Sequence, residues 1–144
     1  MQQVEPRFAG INQDLRLHGD CHLCNVLWGT EGPFWVDFDD CMTGPAVQDL
    51  WLTVPDIDDY GVRQRELLVQ SYQTMRHFNR AELELIEPLR AYRYLYYSAW
   101  IGRRWQDQAF KAVFPQFNEY SYWQAQLGDL EVQLQKLTQP YATQ

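Results

Sequence analysis

Leu17-His18-Gly19-Asp20-Cys21-His22-Leu23-Cys24-Asn25 and, one apolar stretch later, Asp37-Phe38-Asp39-Asp40 are the segments from which the rest of this 144-residue chain is read. They set a lone carboxylate (Asp20), an amide (Asn25) and a second carboxylate (Asp37) within about twenty residues, the groups that a magnesium-dependent phosphoryl transfer uses. The runs Asn25-Val26-Leu27-Trp28 and Phe34-Trp35-Val36-Asp37 flank Gly29-Thr30-Glu31-Gly32-Pro33. A Gly/Pro turn between short apolar runs predicts a β-hairpin.

Pairing Trp28 with Phe34 sets Leu27 opposite Trp35, Val26 opposite Val36 and Asn25 opposite Asp37. Directly opposed residues share a face with Cβ atoms ~5 Å apart, so this register would bring the Asn25 amide oxygen and the Asp37 carboxylate to one cation. A slip of one residue would turn Asp37 away. Mg²⁺ takes hard oxygen ligands and keeps several waters, so two protein ligands suffice where phosphates supply the rest. Asp39 shares the Asp37 face and is a candidate further ligand. Asp20 lies in a loop-forming segment, beside the metal without binding it, where a carboxylate can accept a hydroxyl proton. Gly19 lets the backbone turn tightly next to it. Both faces of the hairpin are apolar, which predicts burial on both sides.

H-G-D-x-x-x-x-N followed by D-F-D resembles the aminoglycoside and choline kinase-like superfamily. Leu17 to Trp28, Gly32 to Asp40 and Gly44-Pro45-Ala46-Val47-Gln48-Asp49-Leu50-Trp51 resemble, more specifically, the stress response kinase A family of bacterial serine/threonine protein kinases. Tyr96 to Ile101, Arg103-Arg104-Trp105, Phe114-Pro115 and Tyr122-Trp123 are similar to the carboxyl-terminal half of the same family. The resemblance implies Asp20 and Asp37 as catalytic residues, and Asn25 and Asp37, with Asp39 a possible addition, as metal ligands. His18 joins Asn25 and Asp37 in the expected cofactor-binding set, as a packed histidine that orders the loop. Asp49, a carboxylate among Val47, Leu50 and Trp51, needs a hydrogen-bond partner or costs several kcal/mol; the resemblance implies that it braces the catalytic-loop backbone, an exposed helix residue being the alternative. Mg²⁺ and ATP are the implied cofactors, and a serine or threonine hydroxyl of a protein is the implied acceptor. A small-molecule kinase acting on an amino alcohol, aminoglycoside or sugar is the alternative within the superfamily. A binding fragment without turnover is the alternative of another class.

At 46% hydrophobic the chain can bury one core, and its net charge of −7 argues against a general nucleic-acid surface. No apolar run approaches the ~20 residues that span a bilayer, and no basic-then-apolar leader opens the sequence, so a cytoplasmic protein with no membrane partner is expected. Three cysteines do not make a disulfide framework. Cys21-x-x-Cys24 suggests half a zinc site or a redox pair, but a tetrahedral site needs four converging ligands, and capture here would compete with the Asp20 to Asn25 loop. Among eight glycines there is no phosphate-covering loop, and the two lysines, Lys111 and Lys136, lie far downstream of Asp20. A kinase acting alone needs both features in an amino-terminal lobe. The expectation is therefore a kinase carboxyl-terminal lobe over 1–144, with its amino-terminal lobe missing and no activity as an isolated chain. Within it, a catalytic loop and metal-binding hairpin occupy 17–40 and a helical subdomain 45–139.

Downstream of the hairpin the fold class is mainly α. Coil is expected before Leu17 and a helix from about Ala46. Asp56 to Asp59 can cap a helix from Tyr60 to about His77. Asn79 with Glu82 has capping-box spacing. Pro88 either kinks the next helix or begins a new one. From Tyr92 to Trp123 lie twelve of the twenty-two aromatic residues, a density that predicts ring packing between helices. Arg103-Arg104 beside Trp105 are expected to make ordinary surface ion pairs, a bidentate grip on a phosphorylated or acidic substrate being the alternative. A last amphipathic helix over Tyr120 to Leu137 stops before Pro140.

Overall fold

The computed structural model describes residues 5–11 and 13–138, in two compact units: residues 7–86, and residues 87–138 with Glu5 and Pro6. The ends of the expected coil and of the expected 45–139 subdomain, and Pro140, lie outside the described residues. The described residues are mainly helical, with two small antiparallel strand pairs among them.

In residues 7–86, β1 (Leu15–Leu17) pairs with β4 (Met42–Gly44), Leu17 lying opposite Met42. Neither strand was expected, coil being the reading before Leu17, because three residues carry too little alternation to reveal a strand. Between them β2 (Val26–Gly29) and β3 (Gly32–Trp35) form the predicted hairpin, shifted by one residue: Val26 faces Trp35, Leu27 faces Phe34 and Gly29 faces Gly32. The hairpin is not buried on both sides as its composition predicts, since Leu27, Trp28 and Phe34 are 56%, 80% and 51% exposed.

Two helices follow the hairpin. α1 (Val47–Thr53) starts two residues after Pro45 and buries Val47, Trp51 and Leu52. α2 (Asp59–Gln73) begins where the Asp58 carboxylate accepts the Gly61 N–H at 2.8 Å. Asn79 caps a 3₁₀ turn, Arg80–Leu85, by accepting the Ala81 N–H at 3.1 Å. The other half of the expected capping box goes elsewhere, since Glu82 accepts the Val47 N–H at 3.0 Å. Val47, Val69, Phe78 and Leu85 are the most deeply buried apolar side chains of this unit. Each such burial contributes roughly 1.5–3 kcal/mol before entropic costs.

The second unit is helical. Its α3 (Ile86–Arg103) takes Ile86 from the first unit and carries Pro88 in its first turn, where a missing N–H costs no hydrogen bond, so of the two expected outcomes the chain shows the new helix, begun at Ile86 after the 3₁₀ turn. Asp107 caps α4 (Gln108–Val113) through the Ala109 N–H at 2.9 Å, and a 3₁₀ turn at Pro115–Asn118 leads to α5 (Tyr120–Thr138). Rings fill the space between these elements: Phe117 lies 4.9 Å from Trp105 and 5.0 Å from Trp123, and Trp100 lies 4.9 Å from Phe110. Arg104 places its guanidinium 4.8 Å from the Trp100 ring centroid, a cation–π contact rather than the ion pair expected. Buried Gln133 of α5 donates to both the carbonyl and the carboxylate of Glu87 at 2.9 and 2.6 Å, tying α5 to the start of α3. Among the described residues no helix is long and apolar enough to cross a membrane.

Candidate active site

Leu17 is buried at the end of β1, and the chain leaves the strand through His18 and Gly19. Gly19 has φ +88°, and a Cβ at that position would collide with the carbonyl oxygen of Asp40. Only glycine therefore lets the acidic segment after β3 press against this loop. The loop is held from beneath by the first turn of α1. Asp49 accepts the His18 N–H on Oδ2 at 2.8 Å and the Gly19 N–H on Oδ1 at 2.9 Å. Gln48 Nε2 donates to the Gly19 carbonyl at 3.2 Å. A carboxylate gripping two successive backbone N–H groups makes charge-assisted bonds that fix position as well as adding energy.

His18 is buried, its Nε2 lies 2.9 Å from the Val36 carbonyl, and its Nδ1 accepts the Asp20 N–H at 3.3 Å. A backbone N–H can only donate, so the ring proton sits on Nε2 and points at Val36. Both ring nitrogens are thus engaged with backbone, and the ring packs on Phe38 at 4.7 Å and Trp35 at 5.6 Å. The side chain stitches the loop to the end of β3.

The Asp20 carboxylate lies 3.1 Å from His22 Nε2, both groups being partly exposed. Its backbone carbonyl receives the His22 N–H at 2.9 Å and the Asn25 side-chain Nδ2 at 3.0 Å. That second bond fixes the amide of buried Asn25 with its nitrogen inward, leaving Oδ1, a hard oxygen, for another partner. Asp20 and Asn25 are therefore parts of one tight turn.

Across the hairpin, the Val36 N–H donates to the Asn25 carbonyl at 3.0 Å, so Val36 and not Asp37 faces Asn25. The shift arises because Gly29 and Gly32 close a two-residue turn at Thr30 and Glu31, tighter than the turn that a Trp28–Phe34 register requires. Strand alternation alone would then aim Asp37 to the far face. Alternation stops at Val36, however, because Asp37 has φ +65°, the one positive value for a non-glycine among the described residues. Such a backbone costs on the order of 1 kcal/mol and clusters at functional sites. Asp37, Asp39 and Asp40 are exposed.

An amide oxygen on Asn25 and a carboxylate on Asp37 are hard-oxygen groups of the kind Mg²⁺ takes, and Mg²⁺ leaves most of its octahedron to water and phosphate. Among the described residues no three His, Cys, Asp or Glu side chains gather as a metal cluster. Cys24 and Cys41 are exposed free thiols, while Cys21 is buried, its thiol pushed up to about 11 by burial, against the Thr53 hydroxyl and with help from Asp49 and Asp20. A thiol held protonated so firmly is a poor zinc ligand or nucleophile. Sequence reasoning did not find Gln48, the His22 contact to Asp20, or the Glu82–Val47 bond; Gln48 had a signal, its adjacency to Asp49.

The sequence pattern of the phosphotransferase enzyme family matches residues 12–86. Over 126 residues the chain is 45% identical to stress response kinase A of Salmonella typhi and of Escherichia coli strain K12. It is equally similar, at 45% over 126 residues, to the serine/threonine protein kinase RdoA of Salmonella typhimurium. The aligned stretch covers 88% of this chain and 38% of each relative, so the chain spans well under half the length of the proteins it matches.

Proposed function

The chain belongs to the phosphotransferase enzyme family, and from that membership we propose that it carries the catalytic loop of a serine/threonine protein kinase. On this reading the γ-phosphate of ATP passes to a protein hydroxyl in the cytoplasm, as part of a stress response of the kind its relatives' names describe. The observation that carries the reading is the Asn25 side chain bonded at 3.0 Å to the Asp20 carbonyl, which joins the proposed base and a proposed metal ligand in one turn. The names of the relatives favour a protein hydroxyl over an amino alcohol or sugar.

Asp20 is the base. As the acceptor oxygen bonds to the γ-phosphorus and the bond to the ADP oxygen breaks, the hydroxyl proton passes to the Asp20 carboxylate. His22 Nε2, 3.1 Å away, orients that carboxylate. Asn25 Oδ1 and Asp37 would hold Mg²⁺, with Asp39 near enough in sequence to join through water. When bound, the ion supplies charge neutralisation on the phosphate oxygens. The left-handed backbone at Asp37 sets that carboxylate at the end of the hairpin, and His18 and Asp49 keep the loop in place beneath it.

A chimera tests this. Exchanged for the matching 126 residues of stress response kinase A from Escherichia coli, the segment should sustain transfer of labelled phosphate from ATP to protein. Asp20→Ala in the chimera should reduce the rate by about 10²–10⁴, the usual contribution of a positioned base. A chimera that stays fully active with Asp20→Ala overturns the assignment.

A further inference from the structure

Glu82 is a buried carboxylate, 3% exposed, for which the proposed chemistry has no use. It belongs to the 3₁₀ turn Arg80–Leu85, and its Oε2 accepts the N–H of Val47, 35 residues away, at 3.0 Å. The need for it is local. α1 begins on Ala46, which has no side chain able to cap, and Ala46 and Val47 are 5% and 0% exposed, so water cannot reach the first N–H groups of the helix. A buried N–H without an acceptor is costly, and a carboxylate at a helix start also suits the helix dipole. The turn that delivers Glu82 is itself fixed, by the Asn79 cap and by the paired bonds from Arg80 to Glu66 of α2 at 3.1 and 2.6 Å.

The residues directly after Val47 are Gln48 and Asp49, the two that hold Gly19 and His18. With the first turn of α1 frayed, the side chains projecting from it lose their registration, and the loop that carries Asp20 loses its floor. We propose that Glu82 is a positioning residue for the catalytic loop, acting through the first turn of α1. The inference rests on the reading of that loop as catalytic, but its test does not depend on turnover. Every contact in the relay lies within the compact unit of residues 7–86.

Amide hydrogen exchange on the 144-residue chain decides it. In Glu82→Ala the amides of Val47, His18 and Gly19 should exchange roughly tenfold or more faster, the scale set by losing a buried acceptor, while amides in the middle of α2 keep their protection. Glu82→Gln, which retains an acceptor oxygen, should restore slow exchange at all three. Should Glu82→Ala fail to fold, Glu82→Asp, one methylene shorter, should give the same selective loss. Unchanged exchange at His18 and Gly19, or acceleration spread evenly over residues 7–86, overturns the proposal. Loss of function in Asp20→Ala is a separate result that bears on the reading of the loop and leaves this one standing.

Discussion

Gly19, Asp49 and Glu82 each do one particular thing for the backbone around them. Gly19 combines a positive φ with an approach of the Asp40 backbone that leaves no room for a side chain. Gly19→Ala should therefore lower unfolding free energy by about 1–3 kcal/mol, read from the denaturant midpoint. Asp49 spends both oxygens on backbone N–H groups, and Asp49→Asn would turn an amide nitrogen toward one of those donors. A loss of about 1–3 kcal/mol is expected, with the loop amides deprotected first. Glu82 is pushed above its ordinary value of 4.5 by burial, while the Val47 and Ala46 N–H groups and the charge of His77 pull the other way. A raised folded value means that its contribution is fully present below the unfolded value and fades as pH rises through the folded one. Stability of Glu82→Gln should accordingly fall less between acidic and neutral pH than that of the parent chain, which parallel urea titrations would show.

The hairpin shows what was legible at the scale of elements. Its existence follows from two apolar runs about a Gly/Pro turn, but its register does not, because Gly29 and Gly32 can each close a turn and the letters do not say how tight it is. The expected Asn25–Asp37 opposition failed for that reason, and a positive φ at Asp37 is a backbone property that no side-chain pattern announces. β1 and β4 were hidden by their brevity, and the Glu82–Val47 bond by a separation of 35 residues. Helices were easier. α2, α3 and α5 show sustained helical spacing, Asp58 announces the cap of α2, and Asn79 that of the 3₁₀ turn Arg80–Leu85. The contact between α3 and α5 through Gln133 was not legible, since a buried glutamine in an amphipathic helix looks like any polar position. Gln133→Leu should leave the Glu87 carboxylate short of a donor and cost about 1–3 kcal/mol in thermal or chemical unfolding.

At the scale of the whole chain, an acidic, mainly helical protein combines a loop braced by Asp49 with an exposed apolar hairpin. Its 144 residues contain no phosphate-covering glycine loop and no lysine before Lys111. With Mg-ATP and a generic basic protein, the 144-residue chain by itself should transfer no more phosphate than its Asp20→Ala variant. The claim beneath all of this is that Asn25 and Asp37 hold one divalent ion beside Asp20, and paramagnetic Mn²⁺ in place of Mg²⁺ tests it most directly. Amide signals of Asn25 and Asp37 should be the first to broaden, and Asp37→Ala should abolish the effect. Broadening centred on the acidic turn at Asp56 to Asp59, or left unchanged by Asp37→Ala, would contradict it.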